Sequence, residues 1–309
     1  MCKRESLNQI IQTAAPDIVA LCETKLGSKS KPKITGYETE YMNFKTGKEG
    51  LLVAAKEGTF VSMDKVTSEN VAEDKNILAV QVKYPNRSIR VIVAHAPQET
   101  DKQENRERFF HNMKLETERA ELNGESILIV GDMNGRIAEN GKLCSSPNGE
   151  YLNTFINEHS LRVANFHTSA SGKWTRIQQT KVGEEKSAID YILLDESLYC
   201  GVKEVLIDES KLLTPYWVTT RKGIRSVISS DHCAMTLKIG VELGSIEEPK
   251  QDTKIWKITS AGLLKYKELT STRSLFLGTM LEQLICIGCG GNTWNVLFTS
   301  VPCCPEKGS

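Results

Sequence analysis

The 309-residue sequence predicts an α/β fold in which helices cover the outer faces of sheets. Three observations predict it. Short apolar runs recur along the chain, segments with helical spacing fall between them, and the runs end at polar residues. With 39% hydrophobic content the chain can bury a sizeable core, and one α/β domain of about 240 residues is within the usual range.

The elements follow in order. Leu7, Ile10, Ile11 and Ala14 share one helical face, and Pro16 ends that pattern. Asp17-Ile18-Val19-Ala20-Leu21-Cys22 is an apolar strand that ends at Glu23, and residues 89–94 form another that ends at His95-Ala96-Pro97. A longer helix from about 102 to about 122 buries Phe109 and Met113 beneath a charged outer face. Ile127-Leu128-Ile129-Val130 is the next strand. It delivers Asp132 and Asn134 of Gly131-Asp132-Met133-Asn134 to its carboxyl end, where residues two apart face the same way. Together they can orient a water and hold a phosphate oxygen. Residues 151–156 predict a further helix, and residues 188–194 an apolar strand interrupted by one carboxylate, Asp190. Ser229-Ser230-Asp231-His232 opens the last strand, over residues 233–237.

Asp and Asn after a strand are ordinary turn residues, so one such end decides nothing. Five polar strand ends are a different matter, because a charge inside a buried strand is costly unless it is paired or binds a metal. A lone histidine is usually structural; His232 is singled out because Asp231 and Asp190 accompany it.

Four ordered motifs, Ala20-Leu21-Cys22-Glu23-Thr24, Gly131-Asp132-Met133-Asn134, Ile189-Asp190-Tyr191 and Ser230-Asp231-His232, resemble the endonuclease/exonuclease/phosphatase superfamily. The likeness is to its apurinic endonucleases and to the endonuclease domains of non-LTR retrotransposons. It spans roughly residues 5 to 240 and extends to Gly50-Leu51-Leu52-Val53-Ala54, Tyr151-Leu152-Asn153-Thr154-Phe155 and Leu161-Arg162-Val163-Ala164-Asn165. Trp256-Lys257-Ile258 resembles the stretch linking such an endonuclease to a reverse transcriptase.

The resemblance implies a four-layer α/β/β/α sandwich with the site at one end. It also implies a DNA-nicking, Mg²⁺-dependent phosphodiester hydrolase, with Mn²⁺ as a possible substitute and no small-molecule cofactor. Glu23 would be the principal metal ligand, assisted by Asp231; Mg²⁺ is commonly held by only one or two carboxylates. Asp132 would deprotonate the attacking water, Asn134 would position it or hold a phosphate oxygen, and His232 would stabilise the transition state with its ring fixed by Asp190. His95 stands where the family usually has Tyr, and a histidine can still donate to a phosphate. Family members also begin with a strand ending in Asn. This chain is expected to lack it, which would unpair backbone groups on neighbouring strands.

Net charge is zero, so electrostatics give no global argument for nucleic acid. Locally, Lys25, Lys29, Lys31 and Lys33 follow Glu23 in a loop without acids. Lys211, Arg221, Lys222 and Arg225 bracket Tyr216 and Trp217, a mixture suited to a polyanion with stacking bases. Nine cysteines without a framework and no apolar leader predict an intracellular compartment, the nucleus when DNA is the substrate. Cys286, Cys289, Cys303 and Cys304 are placed in no helix or strand context that supports zinc, and Glu282 and Gln283 interrupt the only long apolar candidate for a membrane span. The expected organisation is a nuclease domain over residues 1–240. Residues 241–309 then hold a linker, a short helix at 263–269 and a tail without periodicity. Two other readings remain: a phosphoesterase acting on abasic DNA or a small phosphorylated molecule, and a nucleic-acid-binding remnant without catalysis.

Overall fold

The computed structural model describes residues 11, 14–43, 50–137, 146–180, 182–210, 216–219, 225–228, 230–244 and 293–300. In chain order its elements begin β1 (Ile18–Cys22), β2 (Tyr37–Met42), β3 (Leu51–Lys56), β4 (Ser62–Lys65), α1 (Glu69–Asp74), β5 (Ile77–Lys83), β6 (Ser88–His95), α2 (Gln103–Leu122) and β7 (Ser126–Asp132). There follow α3 (Pro147–Glu158), β8 (Arg162–Val163), β9 (Ala170–Ser171), β10 (Arg176–Thr180), β11 (Gly183–Ser187), β12 (Asp190–Leu194), α4 (Glu196–Tyr199) and β13 (Val202–Ile207). The last are β14 (Tyr216–Thr219), β15 (Arg225–Ile228), β16 (Met235–Gly240) and β17 (Thr293–Ser300).

Two large sheets carry the fold. One has six strands in the order β4-β5-β6-β7-β12-β8, the other seven in the order β2-β3-β1-β17-β16-β13-β9, and β10–β11 and β14–β15 are separate hairpins. β12 is buried from end to end and β7 from Ile127 onward, as their apolar β-branched sequences require of strands covered on both faces. β6 and β7 run parallel, which a hairpin cannot connect; the crossover is α2. Phe109, Met113 and Ala120 of α2 pack on Ile77, Ile92 and Ile129 on the outer face of the six-stranded sheet. Each such fully buried side chain contributes about 1.5–3 kcal/mol. Ser146 caps α3 by accepting from the Gly149 N–H, and Pro147 occupies the first turn, where a missing N–H costs nothing.

The sheets meet face to face. Ile18, Val53, Leu237 and Phe298 of the larger sheet share one core with Val80, Val91, Leu128 and Ile192 of the smaller. On the far side of the larger sheet Ile11 packs on Val19, Leu52 and Leu297. Ile11 and Ala14, the two described residues of the predicted first helix, are helical. The layers are therefore helix, sheet, sheet, helix, the expected sandwich.

Predicted helices at 102–122 and 151–156 correspond to α2 and α3. The sequence does not announce β2, β4, β13 or β17: the first three alternate buried with exposed polar positions, and β17 lies beyond Thr272, where no periodicity was expected. β17 also lies along β1. All described residues belong to one compact unit, Met1–Ile246 with Thr293–Ser309; Glu247–Asn292 forms a second. The predicted linker, the 263–269 helix and the four tail cysteines lie outside the described residues. Among the described residues no helix is long and apolar enough to cross a membrane, and Cys22 and Cys200 are free thiols.

Candidate active site

Sheet register brings the chemistry together. His95 closes β6 and sits opposite Asp132 at the end of β7, which in turn sits opposite Asp190 at the start of β12. Close packing at this end needs Gly131, since a Cβ there would collide with the Ala94 carbonyl oxygen. From the other sheet, Glu23 follows the last residue of β1, and Ser230-Asp231-His232 precede β16.

His232 is buried, and its Nδ1 lies 2.9 Å from Asp190 Oδ2 and 3.0 Å from Oδ1. With Nδ1–H donating to the Asp190 carboxylate, Nε2 lies 3.8 Å from Asp132 Oδ2. On the other side of the same oxygen, His95 Nε2 lies 3.9 Å away and also 3.8 Å from Glu23 Oε1. Asp132 Oδ1 accepts from the Asn134 N–H at 2.9 Å, and Asn134 Nδ2 donates to the Ala96 carbonyl at 2.8 Å. Glu23, His95, Asp132, Asn134, Asp190 and His232 thus form one connected constellation. Asp231 faces differently: its Oδ2 accepts from Arg176 Nε at 2.8 Å.

Two of these residues carry backbone strain. Glu23 has φ 53° and Asn134 φ 43°, in the left-handed region that non-glycine residues adopt at some energetic cost. Their surroundings hold them there, and both sit at strand ends facing the site.

Electrostatics distinguish the carboxylates. Burial, reinforced by the neighbouring Asp190 charge, pushes the Asp132 carboxyl up to about 6 against the opposing pull of His232 and His95. For His232, burial favours the neutral ring, but the charge and hydrogen bond of Asp190, with Asp132 and Asp231 beyond, outweigh it and raise the pKa to about 10. Asp231, half-buried, is held below the usual carboxylate range because His232 and Arg176 outweigh its desolvation.

The donor set fits a divalent cation. Asp132, Asp190 and His232 place ligand atoms within 4.8 Å of one another. Glu23 and Asp231 keep partly open carboxylates, with side chains 26% and 38% exposed.

The amino-acid sequence matches the Endonuclease/Exonuclease/phosphatase family over residues 1–232. The chain belongs to that family. Among solved structures it is similar to the endonuclease domain of TRAS1, a telomere-specific non-LTR retrotransposon, at TM-score 0.55 and 14% identity, covering 78% of this chain and 94% of that one. The catalytic domain of Xenopus laevis APE2 gives TM-score 0.58 and 17% identity, with 80% and 90% covered. The 3′ phosphatase NExo from Neisseria, bound to a product DNA hairpin, gives 0.58 and 17%, with 77% and 94% covered. No curated protein matched. At these identities the neighbours establish the fold, which is that of nucleases and phosphatases.

Family membership leaves several supporting residues to the structure alone. Thr175 Oγ1 accepts the Asp190 N–H at 3.0 Å, and Asn165 Nδ2 donates to the Asp190 carbonyl at 3.1 Å, so both backbone polar groups of Asp190 are held. Asn148, fully buried at the start of α3, donates from Nδ2 to the carbonyls of Pro97 at 2.8 Å and Asn134 at 3.1 Å. It ties the strained Asn134 turn to the chain after His95. Nothing in the spacing marks these residues, because each acts on a backbone group remote in sequence. Lys25 was expected to face a polyanion but pairs with Glu23, Nζ to Oε2 at 3.1 Å, whereas Lys29, Lys31 and Lys33 are exposed. Tyr216, Trp217 and Arg225 fall on the β14–β15 hairpin; their side chains, with those of Lys211, Arg221 and Lys222, lie outside the described residues.

Proposed function

We propose that the protein is a Mg²⁺-dependent DNA-nicking endonuclease of the non-LTR retrotransposon type. The observation that carries this reading is the Asp190–His232–Asp132 line at the strand ends, joined by His95 to Glu23. Asp132 takes a proton from the water whose oxygen attacks phosphorus, and a carboxyl near 6 is ionised yet basic enough for this at neutral pH. Charged His232, its ring fixed by Asp190, donates from Nε2 to a non-bridging phosphate oxygen as negative charge grows. Asn134 orients the water or a phosphate oxygen, and His95 donates to the phosphate. Glu23 and Asp231 would hold the metal ion, which supplies charge neutralisation at the phosphate and at the departing 3′ oxygen. As the water oxygen bonds to phosphorus the P–O3′ bond breaks; the phosphate stays on the 5′ oxygen, and the departing 3′ oxygen takes a proton from solvent to become a 3′ hydroxyl that can prime DNA synthesis. With DNA as substrate the proposed place of action is the nucleus, and exposed Lys29, Lys31 and Lys33, which follow Glu23 in sequence, suit its backbone.

A second reading rests on the likeness to a DNA 3′ phosphatase and to APE2: processing of 3′ ends or abasic sites by the same residues. Supercoiled plasmid, an abasic duplex and a 3′-phosphorylated duplex, each with Mg²⁺, separate the readings. Nicking of intact plasmid that Asp132→Asn abolishes is the expected result. Cleavage confined to abasic or 3′-blocked DNA favours the second reading, and no hydrolysis of any of the three overturns both.

A further inference from the structure

The family match ends at residue 232, before β16 and β17, yet β17 occupies the middle of the seven-stranded sheet. It runs parallel to β1, pairing Ile18 with Val296 through Cys22 with Ser300. Along its other edge it runs antiparallel to β16, pairing Met235 with Phe298 through Gly240 with Thr293. Residues 241–292 lie between β16 and β17 in sequence, and most of them belong to the other compact unit.

The strand is built for this place. Val296 and Phe298 face the core between the sheets, among Val91, Leu128 and Met235, while Leu297 faces the opposite side with Val19 and Leu52. All three are buried, as alternation on a doubly covered central strand demands. Without it, β1 and β16 would each present an unpaired edge in the centre of the sheet. β1 carries Glu23 just beyond Cys22, and β16 begins three residues after His232. Within the sheet, β17 is what joins them.

We propose that the gap between β1 and β16 is a strand-accepting slot whose occupant is the chain's own segment Thr293–Ser300. Seating of that segment couples the Glu23 side of the active site to the His232 side. Main-chain pairing supplies the attachment, and the apolar pattern at positions 296, 297 and 298 sets the register, as when an extended peptide adds to a sheet. The nuclease unit is therefore completed by residues well outside its family match.

The test uses the full chain bearing Phe298→Asp, read by amide hydrogen exchange, which does not depend on nuclease activity. Exchange should accelerate by an order of magnitude or more in Ile18–Cys22 and Met235–Gly240, while Ser126–Asp132 and Asp190–Leu194 stay protected. A synthetic peptide of residues 291–302 with native sequence, added in excess, should restore protection in both strands and also plasmid nicking. Unchanged exchange in β1 and β16 overturns the proposal. So does lost protection that the peptide does not restore, since that describes general damage to the core. If Phe298→Asp does not fold, Phe298→Ala is read the same way: opening confined to β1, β16 and β17 is expected, and equal loss in both sheets overturns the slot. Restored exchange without nicking would count against the nuclease reading and leave the slot standing.

Discussion

The two sheets contribute to the active site in different ways. The six-stranded sheet offers His95, Asp132 and Asp190 side by side on adjacent strands, fixed by register, with both aspartates buried. The seven-stranded sheet offers Glu23 and Asp231-His232 from loops next to β1 and β16, one in a left-handed conformation and the others tied by Arg176 and Asp190. Their histories in sequence differ too. The strands of the smaller sheet lie between Ser62 and Leu194, whereas the larger gathers strands from Ile18 to Ser300. The difference suggests a division of labour for the proposed roles: the smaller sheet fixes the base Asp132 and its neighbours by strand register, and the larger brings Glu23, Asp231 and His232 to them from loops.

The largest expected effect tests the smaller sheet. Asp132→Asn should lower Mg²⁺-dependent nicking by ~10²-fold or more, because a positioned base is lost. Stability should not fall, since the change removes a buried charge facing Asp190. The sign follows from linkage. A carboxyl raised from 3.8 to about 6 on folding contributes stability that is fully present below pH 3.8 and is lost as pH rises through 6. The melting temperature of the variant relative to the native protein should therefore climb between about pH 4 and pH 6. A flat difference across that window, or wild-type nicking, would remove Asp132 from its role.

His232→Ala should cost ~10²-fold or more in nicking, and Asp190→Asn a comparable or smaller amount, because the ring is then left without its partner. The more specific reading is spectroscopic. In the native, metal-free protein the His232 ring should titrate near 10 by NMR, and Asp190→Asn should bring that midpoint down towards the ordinary histidine value. A midpoint that does not move would show that Asp190 does not govern the ring, and the contrast between the sheets would weaken.

How much was legible in the sequence follows the same division. β1, β6, β7 and β12 announce themselves because central strands are largely apolar; the first three end at or next to a site residue, and β12 begins at one. Glu23, His95, Asp132 and Asn134 follow that rule; Asp190 interrupts an apolar run, His232 stands out only in the company of Asp190 and Asp231, and the structure brings all six together. β2, at one edge of the larger sheet, and β13, next to the other, carry charged outward positions that dilute the signal. β17 stayed hidden because its strand partners lie at opposite ends of the nuclease unit, so no local pattern reports its place. The contacts of Thr175, Asn165 and Asn148 were illegible for a related reason. Each satisfies a backbone group, and backbone groups leave no mark in a sequence.

On the larger sheet's side, Glu23→Gln keeps the shape and loses the charge. Nicking should fall by roughly tenfold to a hundredfold at low Mg²⁺ and recover in part as Mg²⁺ is raised, which neither Asp132→Asn nor His232→Ala should do. A rate with the native dependence on Mg²⁺ would take Glu23 out of the metal site.

The smallest effect concerns Arg176. Its guanidinium is 28% exposed and bonds an Asp231 side chain that is 38% exposed, so solvent screens the pair and its contribution to stability is small. Its effect on the ion should be easier to see. While Arg176 occupies Oδ2, Asp231 has less to offer a cation; Arg176→Met frees that oxygen and removes a repelling positive charge. The Mg²⁺ concentration for half-maximal nicking should drop by about twofold to fivefold, with the maximal rate changed no more than that and melting nearly unaltered. An unchanged Mg²⁺ dependence would leave Asp231 as an anchor for Arg176 and the β10 end. Metal binding on the larger sheet would then rest on Glu23.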